Sequence, residues 1–195
     1  MCIRDSVETT GQDTDAGLVA RFALGDQAAA ERIVRDQYAH VLRTLMLLSR
    51  DRSVAEDLTQ DTFVKAKAKA DSYAGTGTVK AWLTRIAFRE YLQWRRRQAI
   101  VRFVRFAEPE GEPAMSPDEP DALVLYEALG RIAPDLREAF VLREVQGWSS
   151  REAADIAGVP EGTLSWRLHR AKSLLRTILT ADDERNDART TLPLL

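Results

Sequence analysis

The sequence predicts an all-α protein: two small helical domains joined by an acidic, proline-rich linker, the second domain a helix-turn-helix. Three observations carry this expectation. Glycine and proline are sparse, at 10 and 7 of 195 residues, while the helix formers Ala, Leu, Arg and Glu are common. No segment sustains the period-two alternation of a half-buried strand. Composition breaks at residues 108–121, which hold Pro109, Pro113, Pro117, Pro120 and six acidic residues, the make-up of an extended linker. The expected order is a disordered tail at 1–14, a domain at 15–100, the linker at 101–121, a domain at 122–180 and a frayed tail at 181–195. Met1 to Ser6 read as a translated transposon-end adapter from DNA library preparation and are set aside.

Charge and apolar content bound the function. Lys plus Arg is 28 and Asp plus Glu is 30, so the net charge is −2. This excludes a uniformly basic nucleic-acid coat but not a locally basic surface. Hydrophobic residues at 45% are too many for a wholly disordered chain. Cys2 is the only cysteine, which excludes a disulfide framework and a thiolate zinc cluster. No apolar run approaches the roughly 18–20 residues of a membrane span, and no secretory apolar core stands at the N-terminus. A cytoplasmic protein without membrane insertion is expected.

Each element has its own signal. Residues 14–50 hold helical patterns around a break at Gly25-Asp26, with Leu18 and Phe22 before it and Ile33, Val41 and Leu45 after it. Residues 51–70 form a further helix, and Gly75 and Gly77 mark residues 71–78 as a loop. Val79, Trp82, Leu83 and Ile86 give residues 79–98 an inward stripe. After the linker, Ser149 and Glu152 have the spacing of a capping box for a short helix at 150–157. Gly158 ends that helix, and Pro160 precedes the next one, expected to run from Glu161 to about Arg176. Ala154, Gly158 and Leu164 have helix-turn-helix spacing: a small residue where helices cross, a turn residue and a core leucine. Leu164, Leu168 and Leu175 form the expected buried stripe of the second helix.

Three helices carry candidate chemistry. On residues 51–70, Ala55, Leu58, Thr62 and Ala66 share one face, and Asp57, Gln60, Asp61 and Val64 share the other. Such an acidic face either meets water or a basic partner. Glu56, Asp57 and Asp61 match no known metal loop and are discounted as a metal site. The helix at 79–98 carries Lys80, Arg85, Arg89, Arg95, Arg96 and Arg97 with Phe88, Tyr91 and Trp94 interleaved. Cations that track a backbone and rings on which bases stack are what single-stranded nucleic acid requires, although each ring also suits a core. The last helix holds Arg167, Arg170, Lys172, Arg176 and His169 against one acid, Glu161. A recognition helix places its N-terminal side chains on base edges while arginines hold phosphates.

These segments together resemble bacterial sigma factors of the sigma-70 family. Residues 55–63, Ala-Glu-Asp-Leu-Thr-Gln-Asp-Thr-Phe, resemble the polymerase-docking helix. Trp82-Leu83-Thr84-Arg85-Ile86-Ala87, followed by Arg95-Arg96-Arg97, resembles the promoter-melting helix. Residues 162–171, Gly-Thr-Leu-Ser-Trp-Arg-Leu-His-Arg-Ala, resemble the C-terminal recognition helix. Two domains and a short linker are similar to the small extracytoplasmic-function (ECF) group.

The resemblance implies a mechanism. Asp57, Gln60, Asp61 and Phe63 would dock on the clamp coiled coil of core RNA polymerase. Tyr73, Lys80, Arg85, Arg89, Trp94, Arg95 and Arg96 would bind the −10 element as it opens, and the loop at 71–78 would capture a base flipped from the stack. Arg151, Glu161, Thr163, Ser165, Trp166, Arg167, His169 and Arg170 would read the −35 duplex. An anti-sigma factor is a candidate partner, and no cofactor, metal or catalytic residue is implied. Two departures bear on promoter sequence. Arg89 and Gln93 stand where the family often has Asn and Asp, and Thr163-Leu164-Ser165-Trp166-Arg167 stands where it often has Thr-Val-Lys-Ser-Arg.

Two other classes compete. A DNA-binding regulator independent of polymerase would share the helix-turn-helix but has no use for the docking helix. A helical enzyme would need a better inventory than His40 and His169, with no nucleophile motif or phosphate-binding loop.

Overall fold

The computed structural model describes residues 14–75, 77–105 and 120–190, all of them helix, turn or loop with no strand. They fall into two compact units, one on each side of residue 110. The adapter-like segment and most of the expected linker lie outside the described residues. No helix of the described residues is long and apolar enough to cross a membrane.

The first unit starts where a side-chain cap is available. Thr14 Oγ1 accepts the Gly17 amide at 3.2 Å and opens α1, Asp15–Ala23. Gly25 turns the chain at a φ of +89°. Asp26 then caps α2, Gln27–Ser49, by accepting the Ala29 amide at 3.1 Å. The same carboxylate accepts from the Arg21 guanidinium at 2.7 Å, which holds it below the ordinary carboxyl range. Asp51 repeats the device, taking the Val54 amide at 3.0 Å to open α3, Arg52–Lys69. Lys67 of α3 reaches back to the last carbonyls of α1, at Phe22 and at Ala23 (3.0 Å), and lies over the Phe22 ring. A cation there offsets the negative end of the helix dipole.

A short 3-10 turn, Ala70–Ser72, and a loop lead to α4, Val79–Arg105. The Val79 amide donates to Asp15 Oδ2 at 2.9 Å, so α1 caps α4 across 64 residues. Helix α4 packs against both α2 and α3. Its buried residues therefore cover a wide arc: Leu83, Ile86, Ala87, Phe88, Glu90, Tyr91 and Leu92. Glu90 is charged yet buried, and Lys65 of α3 pairs with it. That pairing is what makes a carboxylate tolerable at this depth.

The second unit comprises α5, Pro120–Gly130; α6, Pro134–Phe140; a π turn, Val141–Val145; α7, Ser150–Ala157; and α8, Glu161–Thr190. Helices α5, α6 and α7 all contact α8. Leu129, Leu142, Trp148, Leu164, Ala171 and Leu175 are buried in this unit. Arg137 is buried as well, and its Nε donates to the Leu129 carbonyl at 3.0 Å near the end of α5.

Three boundaries differ from the sequence-based expectation. Residues 101–105, expected in the linker, continue α4, and residues 181–190, expected as a frayed tail, continue α8. Neither stretch contains a proline or glycine to stop its helix. Asp182 is also tied to Arg131 at 2.6 Å, which anchors the extension of α8. Pro120, expected in the linker, begins α5 instead, at the helical position where a missing N–H costs least.

The Lys65–Glu90 pair yields a stability test. Lys65→Met keeps the apolar stem and strands the buried carboxylate, so it should lower unfolding free energy by about 2–3 kcal/mol in urea denaturation. Adding Glu90→Leu should recover most of that loss. A single variant as stable as the parent would show that the pair does not hold α4 to α3.

Candidate partner and nucleic-acid interfaces

Helix α3 is divided along its length. Ala55, Leu58, Thr59, Thr62 and Ala66 are buried, and the Thr59 and Thr62 hydroxyls donate to the Ala55 and Leu58 carbonyls, each at 2.7 Å. These bonds let two threonines sit in the core without an unmet donor. On the other side, Asp57, Gln60 and Asp61 are exposed together, and Val64 beside them is 68% exposed. Phe63 is half-buried, stacked on Tyr38 of α2 with centroids 6.3 Å apart and planes 12° apart. Glu56 is held by Arg52 at 2.7 Å.

The loop before α4 is braced from within. The Tyr73 hydroxyl donates to the Gly77 carbonyl at 2.7 Å, and its ring lies 5.3 Å from that of Trp82. Burial, with the Asp15 carboxylate nearby, pushes the Tyr73 phenol above its ordinary value. Beside Tyr73 lies an open cavity of about 360 Å³, lined by Ala16, Val19, Ala20, Ala70 and Asp71.

On α4 the structure sorts the expected cation and ring set. Lys80, Arg85, Arg89 and Arg96 are exposed, and Trp94 and Arg95 are half-buried. Phe88 and Tyr91, expected to be interleaved with the cations as stacking rings, are buried at 0% and 2% exposure. They are core residues because α4 is covered by two helices rather than one. Only Trp94 of the three remains within reach of a ligand, backed by the Tyr91 ring at 6.0 Å. His40, the one histidine of this unit, is half-buried with Nε2 3.1 Å from Thr84 Oγ1.

In the second unit the turn between α7 and α8 is built as expected. The Glu152 amide donates to Ser149 Oγ at 3.2 Å, and the Ser149 amide donates to Glu152 Oε2 at 3.1 Å. Both halves of the capping box are present. Gly158 takes a φ of +68°, the left-handed turn that favours glycine. Ala154 and Leu164 are buried where the two helices meet. Leu168, expected to be buried, is only half-buried.

The outward side of α8 presents Glu161, Ser165, Trp166, His169 and Arg170, with Thr163 half-buried and Arg151 exposed on α7. Two cations do not point freely outward. Arg167 pairs with Asp135 of α6 at 2.8 Å and its side chain is 19% exposed. Lys172 pairs with Glu144 at 2.9 Å. Asp135 and Glu144 were not foreseeable as partners, because each lies about thirty residues from its cation and belongs to no local motif.

Comparison with known proteins accounts for this arrangement. The family described as Sigma-70 region 2 matches residues 33–100, and Sigma-70, region 4 matches residues 122–175. The ECF RNA polymerase sigma factor SigE of Mycolicibacterium smegmatis is 32% identical over 188 residues, covering 90% of this chain and 72% of that protein. The RNA polymerase sigma factor CarQ of Myxococcus xanthus is 32% identical over 163 residues, 82% of this chain and 94% of that protein. Among solved structures, the sigma factor RpoE of Bartonella quintana, in complex with the anti-sigma factor NepR, superposes with a TM-score of 0.68. It is 30% identical and covers 78% of this chain and 97% of that one. CnrH, in complex with the cytosolic domain of CnrY, superposes with a TM-score of 0.60 at 27% identity, over 87% of this chain and 99% of that one. The chain therefore belongs to the ECF group of sigma-70 family sigma factors, which bind core RNA polymerase and direct it to promoters by recognising the −35 duplex and opening the −10 element.

Proposed function

We propose that the work of initiation is divided among the faces of three helices. The single observation that supports this division is the segregation of exposed charge: acidic at Asp57 and Asp61 in the middle of α3, basic on α4 and on α8. Asp57, Gln60 and Asp61, with Phe63 at the margin, dock on the basic clamp coiled coil of core polymerase. Tyr73, Lys80, Arg85, Arg89, Trp94, Arg95 and Arg96 engage the −10 element as it opens. The cations track the backbone and Trp94 offers a stacking surface. The loop at 71–78 captures a base turned out of the stack, and the cavity beside Tyr73 has room for one.

The −35 element is read by α8 as duplex, with Arg151, Glu161, Thr163, Ser165, Trp166, His169 and Arg170 facing the groove. Arg167 joins them by exchanging Asp135 for a phosphate. The domains concerned are residues 15–100 and 122–180, joined by the acidic linker. In this reading the chain is a specificity subunit, has no catalytic step of its own and works in the cytoplasm. An anti-sigma factor is a further partner, supported by the complexes in which RpoE and CnrH were solved.

Charge reversal tests the docking face. Asp57→Arg with Asp61→Arg should lower affinity for core polymerase by roughly tenfold or more, because like charges would then meet. Helicity and melting temperature should be unchanged, since both side chains are exposed. Unchanged polymerase affinity would remove these residues from the interface.

The Arg167–Asp135 pair makes a separate prediction. Asp135→Asn releases the guanidinium for phosphate contact. Holoenzyme binding to promoter duplex should tighten, because no ion pair has to be broken first, while the slope of log affinity against log salt stays as in the parent, since the same phosphate is contacted. Weaker binding would show instead that Asp135 holds Arg167 in place for the groove.

A further inference from the structure

Among the described residues Trp166 is the one exposed large apolar side chain of α8, at 64% exposure. The core of the unit has no claim on it. Leu164, Ala171 and Leu175 fill the buried stripe of the helix, and Trp166 lies outside that stripe. Its neighbours one turn on, His169 and Arg170, and Ser165 beside it, are exposed with it. An indole left in water along a face of polar and cationic groups forgoes the burial that such a ring ordinarily gains. A partner that covers it would restore that gain.

The partner of this face is duplex DNA, and the chemistry of the ring narrows what it can meet there. Indole has a broad apolar surface and a single N–H donor, with no acceptor. It cannot form the paired hydrogen bonds by which arginine reads guanine or asparagine reads adenine. The apolar feature on a major-groove base edge is the C5 methyl of thymine. Trp166 is the sixth residue of α8, within the N-terminal half that a recognition helix inserts into the groove. Arg170, four residues on, is on the same side of the helix and suited to an adjacent phosphate.

We propose that Trp166 is a specificity-determining residue that selects a thymine in the −35 element through its C5 methyl group. This rests on the reading of α8 as the −35 helix. The contact excludes water from both the methyl and the indole face. Its discrimination comes from apolar burial, so it is insensitive to salt, unlike the phosphate contacts around it.

The test uses holoenzyme assembled from core polymerase and the full chain. Duplexes randomised across both promoter elements are selected for binding, and each thymine of the selected −35 element is then replaced singly by deoxyuridine, which lacks only the methyl. One replacement should weaken binding by about three- to fivefold, the effect of one buried methyl. Trp166→Ala should abolish the difference between thymine and uracil at that position, while Trp166→Phe should retain it. The proposal is overturned if no thymine is selected, if every uracil is tolerated by the parent protein, or if the uracil penalty persists in Trp166→Ala. Scrambling the −35 element separates the two readings. If scrambling weakens binding but uracil does not, only the role of Trp166 fails. If scrambling has no effect, the assignment of α8 to the −35 element fails with it.

Discussion

Burial of one side of α3, α4 and α8 decides which of their residues can meet a partner. A helix in a small unit must give part of its circumference to the core, and what remains is the surface available for recognition. On α3 the core takes Ala55, Leu58, Thr59, Thr62 and Ala66 and leaves Asp57, Gln60 and Asp61 in water. On α8 it takes Leu164, Ala171 and Leu175 and leaves Ser165, Trp166, His169 and Arg170. Helix α4 yields the most, with Leu83, Ile86, Ala87, Phe88, Glu90, Tyr91 and Leu92 buried where it packs on α2 and α3. Its exposed strip is correspondingly narrow and strongly basic.

The net charge of −2 is thus a sum over surfaces of opposite sign. Acid on α3 suits a basic protein partner, and base on α4 and α8 suits phosphate. The near balance extends inside the second unit, where Asp135 and Glu144 hold Arg167 and Lys172. Those half-exposed pairs contribute little to stability. Their larger consequence is to hold two cations of α8 against the body of the unit. Caps tune the same structure locally: Asp15, Asp26 and Asp51 each satisfy backbone amides at a helix start in the first unit.

Features written in contiguous residues were legible in the sequence. The capping box at Ser149 and Glu152, the left-handed turn at Gly158 and the break at Gly25-Asp26 depend on chemistry within a few residues, and the structure has them where spacing placed them. The division of α3 followed from the helical period alone. Features that depend on how many neighbours a helix has were not legible. Spacing puts Phe88, Tyr91 and Trp94 near one another, but only the packing of α4 on both α2 and α3 sends the first two into the core. The partners of Arg167, Lys172 and Glu90 lie on other helices, so no local pattern announced them. The ends of α4 and α8 were placed too early for a related reason. A stretch without proline or glycine, such as residues 101–105 or 181–190, continues a helix whose start is anchored.

The central claim is that one chain offers acid to polymerase and base to promoter, so that polymerase gains sequence selectivity only in its presence. The most direct measurement is run-off transcription by purified core polymerase on a pool of random-sequence templates, with and without the full chain. Transcripts should depend on the chain and start at a fixed distance downstream of a shared two-part sequence. Transcripts with no shared upstream sequence, or a chain that binds promoter duplex without recruiting polymerase, would contradict it.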